Sequence, residues 1–351
     1  MSIAKYVFVG LSAFLAGSLP AVAQTSGPAN PTPIHLSVVV NAKSGQSVPN
    51  LSQQDFTILD PKSPQPITSF RVFTAAQEPV SVILFVDSVN TPYELLGAVR
   101  DQTEKFLRKK EGVLAYPTSL AVLTDDGLQI PKKFSSNGME LSDDLEHREI
   151  GLHRIILTNE FSAGDRLTIC IKALHQLTQV ASRLPGRKII LWISPGFPLA
   201  SGPGYASLTP MAERAIFGDV TFFSNELRQD NITLYNINPV GASQSTFDAN
   251  YYQTFLKGVT RPDDAQLADL SVQVLSIQTG GLALVSNNDV AGMIQRCIAD
   301  ANSWYEIEFT PRPGDKPNQY HAIDVRLDQP GLIARTRTGY YANPQGVNPP
   351  R

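Results

Sequence analysis

Between residues 34 and 78 the apolar positions come in short runs with no helical period. His35 to Val40 is β-branched and loosely alternating, Asn41 to Gln46 has turn chemistry, and Phe56 to Leu59 and Ile67 to Phe73 read as further strands. At Val80 the rhythm changes. Val80 to Val86 is almost continuously apolar, as a parallel strand covered on both faces must be. Residues 92–109 follow with Leu95, Leu96, Val99, Phe106 and Leu107 at helical spacing and Pro92 in the first turn. Ser119 to Leu123 predicts a second strand, and Asp125-Asp126-Gly127 a hairpin turn between Val122 and Ile130. Residues 166–183 are the plainest helix, with Leu167, Cys170, Ile171, Leu174, Leu177 and Ala181 on one face. Lys188 to Ile193 predicts the next strand, followed by a Pro/Gly loop from Ser194 to Gly204, and Asn231 to Ile237 another. Asp263 or Asp264 is placed to cap a helix carrying Leu267, Leu270, Val274 and Ile277 that ends at Gly280-Gly281. A short strand, Leu282 to Val285, precedes a last helix with Val290, Met293, Ile294, Cys297 and Ile298.

Strand and helix alternating from 79 to 302 predict an α/β domain built on an open, doubly wound, mostly parallel sheet. Beyond it, Trp304 to Thr310, Ala322 to Leu327 and Ile333 to Tyr341 read as strands. The two β-rich flanks, 34–78 and 303–343, are each too small to bury a core alone. They are expected to join as one β-sandwich beside the α/β domain. Residues 344–351 form a tail.

The N-terminus reads as an export signal. Lys5 supplies the positive start, Val7 to Leu19 a short apolar run, and Ala21-Val22-Ala23 a cleavage site before Gln24. That assigns 1–23 to a signal peptide and 24–33 to a Pro-rich linker. The apolar run is shorter than the ~20 residues that cross a bilayer, so the expected location is periplasmic or secreted, without a transmembrane anchor. The 351 residues carry a net charge of -3 and 42% hydrophobic residues, an ordinary globular balance that gives no reason to expect a nucleic-acid partner. Export permits Cys170 and Cys297 to pair, but each lies on the apolar stripe of a different predicted helix, which favours buried free thiols.

The candidate chemistry centres on Val82-Ile83-Leu84-Phe85-Val86-Asp87-Ser88-Val89-Asn90-Thr91-Pro92. In an open parallel sheet, ligands bind outside the carboxyl ends of the strands, where strand order reverses, and Asp87 stands at such an end. A buried carboxylate needs donors or a cation. Asp87 with Asn90 and Thr91 suits a hard cation such as Mg2+ or Mn2+, and Ser88 adds a hydroxyl. The same residues also suit a turn that caps the following helix without any metal.

These residues, with Val48-Pro49-Asn50-Leu51-Ser52-Gln53-Gln54-Asp55-Phe56, Pro185-Gly186-Arg187-Lys188, Thr279-Gly280-Gly281 and Ala334-Arg335-Thr336-Arg337-Thr338-Gly339-Tyr340-Tyr341 in that order, resemble the von Willebrand factor type A (VWA)-related proteins exported by some bacteria. The resemblance implies a metal-ion-dependent adhesion site built on Asp-x-Ser-x-Ser, a threonine from a second loop and an aspartate after a central strand. In this chain Val89 replaces the middle serine, Thr158 or Thr168 is the second-loop candidate, and Ser194-Pro195-Gly196 stands where an acidic residue belongs. Ser194 is then a candidate ligand-binding group rather than a metal ligand. The implied function is recognition of a protein partner in or outside the envelope, in adhesion or assembly, through a cation that an acidic group completes. The alternative is a metal-free scaffold that binds its partner through loops 194–218 and 238–258; Trp192, Phe197, Tyr205 and Phe217 surround the first, and Tyr251, Tyr252 and Phe255 lie in the second.

No nucleophile elbow, P-loop, His-Glu-x-x-His or Cys-x-x-Cys is present. His147 and His153 near Asp143, Asp144 and Glu146 read as part of a solvated acidic helix rather than a zinc site. A hydrolase would need side chains that converge only in three dimensions.

Overall fold

A computed structural model describes residues 32–74, 77–130, 133–148, 160–196, 208–240, 250–285 and 288–343. The strands of the N-terminal flank are β1 (Ile34–Ala42), β2 (Phe56–Leu59), β3 (Pro64–Gln65) and β4 (Ile67–Thr74). The α/β block follows with β5 (Val80–Asp87), α1 (Tyr93–Leu107), β6 (Val113–Thr124), β7 (Gly127–Gln129), β8 (Ser135–Asn137), α2 (Gly138–Glu146), α3 (Glu160–Ala181), β9 (Arg187–Ile193), α4 (Pro210–Gln229), β10 (Ile232–Ile237), α5 (Val272–Gln278), β11 (Ala283–Leu284) and α6 (Val290–Ile298). The C-terminal flank adds β12 (Ser303–Phe309), β13 (Gln319–Ala322), β14 (Asp324–Leu327), β15 (Leu332–Arg335) and β16 (Gly339–Ala342).

The central sheet runs β11-β10-β9-β5-β6-β7, with β8 also on β6. Its five strands from β11 to β6 are parallel, and the β6–β7 hairpin turns at Thr124 opposite Gly127. β5 is followed in sequence by β6 on one side and later by β9 on the other, so strand order reverses between β5 and β9. Alternate side chains of β5 divide between two cores. Val82, Leu84 and Val86 pack with Ile189, Leu191 and Ile193 under α1, α2 and α6. Ile83 and Phe85 pack with Ile190 and Trp192 under α3, α4 and α5. Both faces are therefore covered, which is why these strands carry unbroken apolar runs. The two buried cysteines are free and lie on opposite faces, Cys170 in α3 and Cys297 in α6.

The flanks join. β1 pairs antiparallel with β12, Ile34 opposite Phe309, within a sheet ordered β15-β1-β12-β4. That sheet and the β14-β2-β3 sheet share a core of Leu36, Val38, Val40, Phe56, Ile58, Tyr305, Ile307 and Phe309. The opposite face of β1 and β12 sends Val39 and Trp304 into the α/β core. Here Arg187 lies over the Trp304 ring and donates to the Asp300 carbonyl, while Tyr235 and Arg335 both donate to the Asp300 carboxylate.

Three segments differ from the sequence reading. Residues 210–218 are not loop: Thr209 caps the Ala212 N–H, Pro210 opens the first turn, and α4 buries Ile216, Val220, Phe223 and Leu227. The helix expected after Asp263 is broken into 3-10 turns at Pro262–Asp264 and Leu267–Leu270 before α5, whose cap is Ser271. The cause is local, because the Asp269 carboxylate accepts the Gln266 N–H and closes its own turn. The strand expected over 333–341 is two strands, β15 on β1 and β16 on β13. Among the described residues no helix is long and apolar enough to cross a membrane.

Within the sandwich, Asp60 is fully buried and meets Tyr340 Oη at 2.7 Å and His321 Nδ1 at 3.2 Å. Burial works to raise its carboxyl, but the hydrogen bonds of His321 and Tyr340 outweigh it and hold Asp60 below the usual carboxylate range. A depressed carboxylate stabilises the fold above the pH at which the unfolded group titrates, and that stability is lost as pH falls through the folded value. Tyr340→Phe is expected to cost about 2 kcal/mol at neutral pH, from loss of a hydrogen bond to a charged group. It should also flatten the acid limb of stability, both measured by urea unfolding across the acid range.

Candidate functional site

Asp87 is the last residue of β5, beside the point where strand order reverses. The following residues fold back as a tight turn because the carboxylate collects their donors. Asp87 Oδ1 accepts the backbone N–H groups of Val89 and Asn90, both at 3.0 Å. Oδ2 accepts the Asn90 side-chain amide at 2.8 Å and the Trp192 indole N–H at 2.9 Å. The Thr91 hydroxyl donates to the Asp87 carbonyl at 2.6 Å, and the Ser88 hydroxyl to the Leu123 carbonyl at 2.6 Å. This local arrangement hands the chain from β5 into α1.

Trp192 arrives from β9. It is fully buried, pairs in register with Phe85 and packs its ring 3.9 Å from that of Phe85. The same sheet face therefore carries Phe85, Asp87 and Trp192 in a row. Cys170 of α3 closes it from above, with Sγ 3.0 Å from the Asn90 amide nitrogen. Asp87 has no solvent exposure. Burial pushes its carboxyl up, while hydrogen bonds from Asn90 and Trp192 pull it back down.

A divalent cation needs oxygen lone pairs pointing at it. Here the four donors to Asp87 direct hydrogens at both carboxylate oxygens. The Thr91 and Ser88 hydroxyls are turned to carbonyls, and Val89 lies in the apolar core. Only Asn90 Oδ1, a neutral oxygen, is left buried without a hydrogen bond among these groups. The residues at Asp87 thus do not fit a magnesium or manganese ion. Among the described residues no cluster of three or more His, Cys, Asp or Glu side chains is arranged for a metal either.

The remaining sequence candidates are dispersed. Thr168 is exposed on α3 and donates to the Gly164 carbonyl; Thr158, His153, Phe197 and Tyr205 lie outside the described residues. Ser194 is buried, and its hydroxyl accepts the Gly196 N–H. Asn236 of β10 donates to the Trp192 and Ser194 carbonyls, and Gln273 of α5 donates to the Pro195 carbonyl at 2.7 Å. Gly196 has φ +107, and a Cβ there would meet the Gln273 side chain at 2.2 Å. The loop after β9 is therefore clamped to α5. Sequence reasoning missed Trp192, Asn236 and Gln273 in these roles. The one available signal was a tryptophan among the isoleucines and leucine of the buried run Ile189 to Ile193, since a buried indole N–H needs an acceptor.

No family model matches the chain, and no curated protein sequence matches it. Solved structures similar to it include an aerotolerance-related membrane protein from Bacteroides fragilis at 12% identity, covering 62% of this chain and 98% of that one, TM-score 0.36. A von Willebrand factor type A protein from Catenulispora acidiphila is similar at 9% identity over 90% of this chain and 75% of its own, TM-score 0.36. A manganese-loaded TRAP protein of Plasmodium vivax is similar at 9% identity over 78% and 98%, TM-score 0.34. At these values no residue role passes from any of them to this chain.

Asp87→Ala removes from the interior the acceptor of the Trp192 indole N–H, of an Asn90 amide hydrogen and of two backbone N–H groups. Its expected cost is about 3 kcal/mol, and that of Trp192→Phe, which keeps a ring but removes one donor, about 1–2 kcal/mol. Chemical unfolding of the two variants checks the order.

Proposed function

We propose that this chain is an exported, VWA-related binding module that engages a protein partner without a cation and without chemistry. The observation that carries the reading is the donor set of Asp87. A carboxylate that already accepts four hydrogen bonds in the interior serves as the keystone of the loop, not as a port for a partner's acidic group. Recognition then falls to what the keystone holds in place. Helices α1 and α4 both start from the carboxyl-end edge of the sheet, after β5 and β9. Their first residues expose large apolar side chains: Tyr93 is 67% exposed and Met211 82%. Tyrosine and methionine are enriched in protein interfaces. The 3-10 turn Tyr251–Phe255 is tied to α5 at the same end, through Tyr251 Oη and Gln273. Ser88 and Ser194, both buried, position backbone rather than touch a partner.

Titration of chelator-treated protein with magnesium or manganese should give no saturable heat up to millimolar ion. Envelope partners captured on the protein should be retained equally in EDTA and lost with Tyr93→Ala plus Met211→Ala. A partner held only with magnesium would overturn the metal-free reading. For the export part of the proposal, N-terminal sequencing of protein recovered from outside the cytoplasm should begin at Gln24; an intact Met1 would overturn it.

A further inference from the structure

Among the described residues at the junction between the sandwich and the α/β domain, Arg187 and Arg335 have been provided with partners, and Arg228 and Arg337 have not. Arg187 and Arg335 are both spent on Asp300. Arg228, near the end of α4, and Arg337, between β15 and β16, make no hydrogen bond or salt bridge among the described residues. Arg337 is only 7% exposed, and Arg228 Nε is buried and unsatisfied. Both line one cavity of about 450 Å3, together with His35, Ser37, Arg71, Phe73 and the two acids Glu78 and Glu306. The acid nearest to them is already engaged: Glu306 Oε1 accepts from Ser37 at 2.6 Å and from Trp304 Nε1 at 2.7 Å. Arg71 and His35 share Glu308, at 4.0 and 3.2 Å. Two adjacent guanidinium groups that share a cavity, neither of them hydrogen-bonded to an acid, are costly, because burial penalises each charge and each repels the other. Burial and the neighbouring Arg228 push Arg337 down to about 9 against the opposing pull of Glu306, which leaves it charged at neutral pH.

From the two partnerless guanidiniums and the cavity they share, we propose that this junction binds a small organic oxyanion, a carboxylate or phosphate group on a compact apolar body. The planar fork of arginine matches both oxyanions with paired hydrogen bonds. The cavity exceeds the needs of a bare ion and falls within the range of small-molecule pockets, and Phe73 offers a ring face for the body. This site lies on the sandwich side of the fold and is independent of the carboxyl-end edge assigned to the protein partner.

The test is calorimetric titration of the whole mature protein with phenyl phosphate, benzoate and inorganic phosphate at fixed ionic strength. Saturable binding of phenyl phosphate or benzoate is expected, tighter than that of inorganic phosphate, and the stronger of the two identifies the oxyanion. Arg337→Gln and Arg228→Gln should each weaken it about tenfold or more, the effect of losing one charge-assisted pair. Their melting temperatures in the absence of ligand should be unchanged or higher, since each removes a charge that burial penalises and no acid hydrogen-bonds. Arg337→Lys, which keeps the charge and loses the fork, should weaken binding while leaving the packing nearest to native. Absence of saturable binding by all three probes, or affinity unchanged in both glutamine variants, overturns the proposal.

Discussion

A carboxylate removed from water at the end of a central strand has to be satisfied from inside the protein, and much of the α/β domain is arranged around that requirement at Asp87. Its donors come from three places: the turn that follows β5, the Asn90 side chain, and the indole of Trp192 on β9. Each fixes a different relation. The turn sets where α1 begins, Asn90 reaches Cys170 and so α3, and Trp192 ties together the two strands between which strand order reverses. An unpaired charge at this depth would cost several kcal/mol, so the three relations hold together or fail together.

The same requirement governs the loop after β9. After β9, at Ser194, Pro195 and Gly196, the end of the strand is held by neutral groups, Asn236 and Gln273, acting on backbone carbonyls. Neutral hydrogen bonds to backbone make a rigid platform but supply no negative charge for a cation. The recognition proposed for this edge therefore rests on shape and apolar contact, which is where the exposed Tyr93 and Met211 enter.

The junction with the sandwich shows the contrary case. Asp300 gathers Tyr235 and Arg335 on its carboxylate and Arg187 on its carbonyl, joining β9, β10 and β15 through one residue. A few residues away, Arg228 and Arg337 have nothing comparable. One buried acid serving two arginines stands beside two arginines that no acid hydrogen-bonds: the first set is structural, and the second leaves room for the proposed guest.

The sequence by itself determined the elements whose apolar period is local and strong. The buried runs of β5, β9 and β10 could be read because strands covered on both faces must be apolar throughout, and Asp87 stood out because it ends such a run. The helix α4 was missed altogether, although Ile216, Val220, Phe223 and Leu227 stand at helical spacing after Thr209-Pro210, because the preceding Pro/Gly stretch was extended as loop to residue 218. The break at Asp269 and the division of 333–341 between two sheets depend on which partner each segment meets. So does the chemistry of the site. Whether Asp87 holds a cation or a turn rests on Trp192, 105 residues away in the chain, because a buried charge is satisfied by neighbours in space, and only the tertiary structure decides who they are.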